Sequence, residues 1–193
     1  VGSFLGVSAR GAVNESIGWV QNNNLLNAAD SLFLDANLSD GNPASNQEAD
    51  FDQLFEKGYT YAKKIAGIEG TYFVDAPTCE SLTKMVAWWR HARTLHKASR
   101  QIRTVLLPNI NRPVDVNPSN GQLAPRFISL FEPEARSALN SMVAAEEIES
   151  FQVYIDPAQN VSVNQTVEIQ YEIVPKGVAN AIKAFIALVP QLS

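Results

Sequence analysis

The sequence predicts an α+β fold: a mixed, mainly antiparallel sheet packed against one long helix and several shorter ones. Three observations predict it. Ser81–Leu107 runs for 27 residues without Gly, Pro or an acid and carries six Lys or Arg. In Val167–Val174, Val167, Ile169, Tyr171 and Ile173 alternate strictly with Glu168, Gln170 and Glu172. Such a strand has one wet face, as in antiparallel sheets. In Gly58–Asp75, Tyr59, Tyr61, Lys63 and Ile65 alternate with other residues, Gly67–Gly70 supply a turn, and Tyr72, Phe73 and Val74 favour a second strand.

In chain order, Val1–Val20 mixes small and apolar residues and suits a short helix or turns, which Asn22–Asn24 interrupt. Ser31–Leu38 fits a strand, and Asp40–Glu56 fits an acidic loop leading into a short helix near Phe51–Phe55. After the hairpin, Thr78 or Ser81 can cap the long helix. At 100° per residue, Met85, Trp88, Ala92, Leu95, Ser99, Ile102 and Leu106 form its apolar seam. Arg90, Arg93, Lys97 and Arg100 form a basic ridge along another side, and Pro108 stops the helix. Asn109–Pro125 reads as a polar loop, and Glu132-Pro133 as the start of a short helix ending by about Ile148. Phe151–Asp156 is a strand with Phe151, Val153 and Ile155 inward. Pro175 and Gly177 turn the chain into a third candidate, Ala181–Val189, which by propensity also suits a helix.

A chain of 193 residues can bury a core of its own and is expected to form a single domain over 1–193. The opening Val1 suggests that this domain is part of a longer subunit. No run approaches the roughly 18–20 apolar residues of a membrane-spanning helix, so no membrane partner is expected. The net charge of −5 hides a partition. Residues 1–80 carry eleven acids and four bases, 81–112 seven bases and no acid, and 113–193 nine acids and four bases. A basic rod between acidic flanks can pair within its own domain, with another copy, or with a polyanion.

Catalytic chemistry finds little support. His91 and His96 are five residues apart, whereas two helical metal ligands want four, and no Cys pair accompanies them. Cys79, the single cysteine, would lie near the start of the long helix, but nothing fixes a base beside it. Gly67–Gly70 lacks the pattern of a phosphate loop, and Asp115–Gly121 departs from a calcium loop in its Gly and its twelfth position. Glu146, Glu147 and Glu149 read as a solvated edge. No catalytic, cofactor or metal site is therefore expected. The alternative is a small-molecule site near Cys79, His91 or His96. The ridge suits docking on an acidic protein surface better than nucleic acid, because the sequence pI is about 5.0 and no stacking aromatics interleave it.

Several stretches in order resemble the C-terminal half of contractile phage-tail sheath proteins, in particular the sheath-like family of phages and prophages catalogued as a domain of unknown function. They are GWVQNNNL (Gly18–Leu25), KGYTYAKKIAGIEGTYFVDAPTC (Lys57–Cys79), RTLHKASRQIRTVLLP (Arg93–Pro108), VDVNPSNGQL (Val114–Leu123), VYIDPAQNV (Val153–Val161) and VEIQYEIVPKGVANAIKAFIAL (Val167–Leu188). The resemblance implies a structural, non-enzymatic subunit of a virion tail sheath, made in the bacterial cytoplasm. It further implies hexameric rings of like subunits around an inner tube, linked by exchanged strands, which contract during injection. It favours a strand for Ala181–Val189. On this reading Arg90, Arg93, Lys97 and Arg100 face the tube or an adjacent subunit.

Overall fold

The computed structural model describes residues 2–25, 37, 41–42 and 51–180. Most of the expected strand Ser31–Leu38, and the whole of Ala181–Val189, lie outside the described residues. In order, the elements are α1 (Gly2–Arg10), α2 (Phe51–Glu56), β1 (Ala62–Ile65), β2 (Ile68–Phe73), α3 (Trp89–Leu106), α4 (Pro125–Ala144), β3 (Ile148–Ile155), α5 (Val161–Asn164) and β4 (Ile169–Pro175). The α+β class is as expected. The strands form two separate antiparallel pairs, β1–β2 and β3–β4, among the described residues.

The β3–β4 hairpin follows the alternation in its sequence. Val153 faces Tyr171, Phe151 faces Ile173 and Ile155 faces Ile169 on one side, while Gln152 faces Glu172 and Tyr154 faces Gln170 on the other. The apolar side covers the helices: Phe151, Tyr171 and Ile173 pack against Ala98 of α3 and Ala138, Leu139 and Met142 of α4. A second cluster, Leu123, Phe127, Phe131, Ile155 and Val161, fills the far end of the same layer. Tyr171 brings its hydroxyl into this interior, where burial raises the phenol pKa and no hydrogen-bond partner is present among the described residues. A buried polar group without a partner costs stability. Tyr171→Phe is therefore expected to leave urea stability unchanged or raise it by about 1 kcal/mol; a loss of similar size would show that the hydroxyl is bonded.

The long helix begins later than its sequence suggests. Trp88 is extended (φ −109°, ψ 131°), and a single turn of tighter helix, Met85–Ala87, precedes it. Here the chain doubles back on itself. Trp89 N–H donates to Ala76 O (2.9 Å), Thr78 N–H donates to Ala87 O (2.7 Å), and Pro77 bridges Trp88. These bonds occupy backbone groups that one uninterrupted helix would have needed. Neither Thr78 nor Ser81 caps α3; the residue at its N-cap is Trp88, with no side-chain bond.

Its orientation also differs. The buried edge of α3 is Arg90, Thr94 and Ala98, continued by the half-buried Ile102 and Val105. Of the expected seam Ile102 joins that packing and Leu106 packs against the second cluster, whereas Leu95 is 50% exposed. Small residues let α3 approach α4 closely, and a hydrophobicity pattern gives Thr and Ala too little weight to reveal such a contact.

The other long helix is the larger surprise, because α4 starts at Pro125, eight residues before Pro133, and carries Pro133 within it. Phe127, Phe131, Ala135, Ala138, Leu139 and Met142 make its buried stripe. Pro133 is tolerated on the exposed side, where the loss of one helical donor leaves a carbonyl near water rather than in the core.

In the first hairpin the turn is tighter than Gly67–Gly70. Gly67 has φ +81°, whereas Gly70 (φ +124°) belongs to β2. Asn24 lies against it: Oδ1 accepts from Thr71 N–H and Nδ2 donates to Glu69 O, each at 3.4 Å. A Cβ on Gly70 would come within 2.4 Å of Asn24 Oδ1. Gly70→Ala is thus expected to lower stability by about 1–3 kcal/mol, read as a fall in melting temperature. An unchanged melt would mean that Asn24 does not seal this strand.

Candidate functional site

The ridge residues meet very different surroundings. Arg90 is only 4% exposed and pairs with Asp75, while its guanidinium lies 4.9 Å from the centre of the Trp88 ring. The other Asp75 oxygen accepts from Ser16 Oγ (2.8 Å) and from Ala76 N–H (2.9 Å). One carboxylate therefore ties the N-terminal segment, the end of the first hairpin and α3 together. Arg93 donates to Gly11 O (3.0 Å) and Ala12 O (3.3 Å), and its desolvation lowers the guanidinium pKa, opposed by nearby Glu15. Lys97 pairs with Glu147, which is buried rather than part of a solvated edge. Glu147 enters the interior because it begins the turn into β3, just after Glu146 in the left-handed region (φ 57°). Arg100 alone of the four is exposed and makes no ion pair among the described residues.

What α3 shows to solvent is thus a rotated face: Leu95, His96, Ser99, Arg100 and Arg103, followed by Leu107 just beyond its end. Arg103, absent from the expected ridge, is exposed and without an ion pair among the described residues. Its signal was present in the same acid-free stretch, and the rotation of the helix decided its role. The outer side of the β3–β4 hairpin is the counterpart in charge. Gln170, Glu172 and Val174 project there with Tyr154, Gln152 and Ser150 opposite, Glu168 is exposed just before the strand, and no Lys or Arg stands among them. At the end of the hairpin, Lys176 pairs with Glu149 (2.7 Å), a hydrogen bond that raises the ammonium pKa.

The residues of the alternative small-molecule site do not converge. Cys79 is exposed and stands ten residues before α3, away from a helix N-terminus. His91 Nδ1 lies 2.5 Å from Met85 O, and His96 is exposed. Clefts among the described residues lie elsewhere. One of about 730 Å³ is lined mainly by apolar groups including Leu106, Ile110, Phe127 and Val167. Another, about 950 Å³, lies between the first hairpin and residues 176–180. Neither contains Cys79, His91 or His96. Among the described residues no group of three or more His, Cys, Asp or Glu is placed to hold a metal ion, and no helix is long and apolar enough to cross a membrane.

Two antiparallel hairpins on a framework of helices, with charged outer faces and no convergent polar cleft at the candidate residues, define an α+β domain whose surfaces are its most distinctive chemistry. The chain belongs to the DUF2586 family: the model of the DUF2586 C-terminal domain matches residues 87–193. It is also similar in structure to a chain of the cryo-EM structure of the anti-feeding prophage (AFP) baseplate, 6-fold symmetrised, with a TM-score of 0.61 and 14% identity. That likeness covers 97% of this chain and 48% of the other, so this chain spans about half the length of the protein it matches. No curated protein matches.

Proposed function

We propose that the chain is a structural, non-enzymatic part of a contractile injection system, and within it a subunit of the sheath that rings an inner tube. The observation that carries the reading is the fold similarity to a baseplate chain over 97% of this sequence. Family membership and the ordered sequence resemblance support it. In this reading like subunits form hexameric rings in a virion-like tail assembled in the bacterial cytoplasm, and contraction moves one ring relative to the next.

The β3–β4 hairpin suits such a part. It is a two-stranded sheet among the described residues, so each strand has an edge at which a neighbour's strand could continue the ladder through main-chain bonds. The ridge Arg90, Arg93, Lys97 and Arg100 is proposed to belong to the surface that meets the tube or an adjacent subunit. With Arg90 and Lys97 paired internally, Arg100 carries the exposed charge. Exposed ion pairs are individually weak, about 0–1 kcal/mol each, so a ring holds by number and any one contact can exchange.

Electron microscopy of the full-length protein tests the reading. Extended tubes are expected for a sheath subunit, and isolated six-fold rings would point to a baseplate position instead. A protein that remains dispersed, alone and with its tube protein, would sink both.

A further inference from the structure

We propose that the outer face of α3 and the outer face of the β3–β4 hairpin are two halves of one contact between copies of this chain. Arg100 and Arg103 of one copy meet Glu168 and Glu172 of the next. This rests on the assembly reading above and chooses the adjacent subunit over the tube.

Charge complementarity is the first argument. Residues 81–112 contain no acid, and both arginines are exposed without an ion pair among the described residues. The hairpin's outer side has the opposite character: Glu172 on the strand and Glu168 just before it are exposed without an ion pair among the described residues, and Lys176 at the end of the hairpin is already paired with Glu149. Opposed single-sign faces attract each other and repel their own kind, which fixes orientation as well as partner.

Each face also offers apolar surface beside its charges. Leu95 and Leu107 are 50% and 53% exposed on the helical side, and Tyr154 and Val174 are 50% and 51% exposed on the sheet side. Cross-strand register puts Tyr154 and Val174 on the same side of the hairpin as Glu172. Covering these groups supplies the desolvation that exposed ion pairs lack.

The third argument is placement. The hairpin turns its apolar side to the helices, and α3 turns Thr94 and Ala98 inward. The two charged faces are therefore different patches pointing away from the shared core. A patch that meets a different patch leaves both halves available at the ends of a pair, so the contact repeats into a ring or a filament.

The test is sedimentation velocity on the full chain at low and high salt, with circular dichroism to verify folding. Self-association is expected, weaker in high salt. The variants Arg100→Glu/Arg103→Glu and Glu168→Arg/Glu172→Arg should each require roughly tenfold more protein to associate. Mixed in equal amounts they should regain association, because the reversed helix of one fits the reversed sheet of the other. Unaltered association of either folded variant would overturn the proposal. So would failure of the mixture to recover, or an unmodified chain that stays monomeric at every concentration. Loss of tube-protein binding in the arginine variant with self-association intact would assign the patch to the tube. Recovery in the mixture without rings or tubes by microscopy would sink the sheath reading and leave this contact standing.

Discussion

Replacement of Asp75 by Ala is expected to destabilise the chain by about 3–5 kcal/mol, the cost of removing one partner of a buried ion pair. Arg90 is 4% exposed, its Nε has no hydrogen-bond partner among the described residues, and Asp75 is the carboxylate that answers its charge. Removing that carboxylate also takes away the acceptor of the Ser16 hydroxyl and of Ala76 N–H, so three segments loosen together. The companion variant is Asp75→Ala/Arg90→Met. Without the cation there is nothing charged left to bury, and a flexible thioether can fill the space beside Trp88. The double variant should be more stable than the single one in urea. If Asp75→Ala alone costs less than about 1 kcal/mol, the pair is not the buried clasp described here.

Leu139→Ala is the second large effect, expected at about 2–5 kcal/mol. Leu139 has no exposed surface and stands in the cluster shared by α3, α4 and β3. Leu95→Ala makes the informative comparison, because both remove the same atoms from a long helix. Leu95 lies on the outer face of α3, and its loss should change the stability of the monomer by less than about 0.5 kcal/mol. Equal costs for the two would mean that α3 is turned as its hydrophobic periodicity suggests.

That comparison marks where the sequence was legible. The β3–β4 hairpin follows from alternation, since a period of two distinguishes the faces of a strand even when each is short, and the first hairpin from strand-forming residues around a glycine turn, although burial does not alternate along its strands. The short helix at Phe51–Glu56 and the polar turn around Asn117–Gly121 were equally readable, the latter because Gly121 N–H donates to Asn117 O as a tight turn requires. The long helices were read less well. In α3 the polar residue Arg90 lies inside because Asp75, fifteen positions earlier, waits for it. Pairing across such a distance leaves no trace in a helical period. In α4 Pro133 suggested a beginning, although the stacked rings of Phe127 and Phe131, with centres 5.1 Å apart, already belong to the same helix. For the candidate surface, the basic composition of the stretch was plain and the direction of each side chain was not. The stride of the ridge points Arg100 to solvent but leaves out Arg103, and the inward turn of Glu147 depends on the tight corner before β3.

The alanines where α3 and α4 share a core have a mechanical meaning. Rods of roughly 27 and 30 Å, packed together with the small side chains of Ala98 and Ala138 in one buried cluster, have short, stiff packing contacts and little slack in which to slide. A push on the hairpin would then travel through the pair to the far end of α3 before it was absorbed as internal deformation. Bulkier side chains at those two positions would turn a strut into a spring.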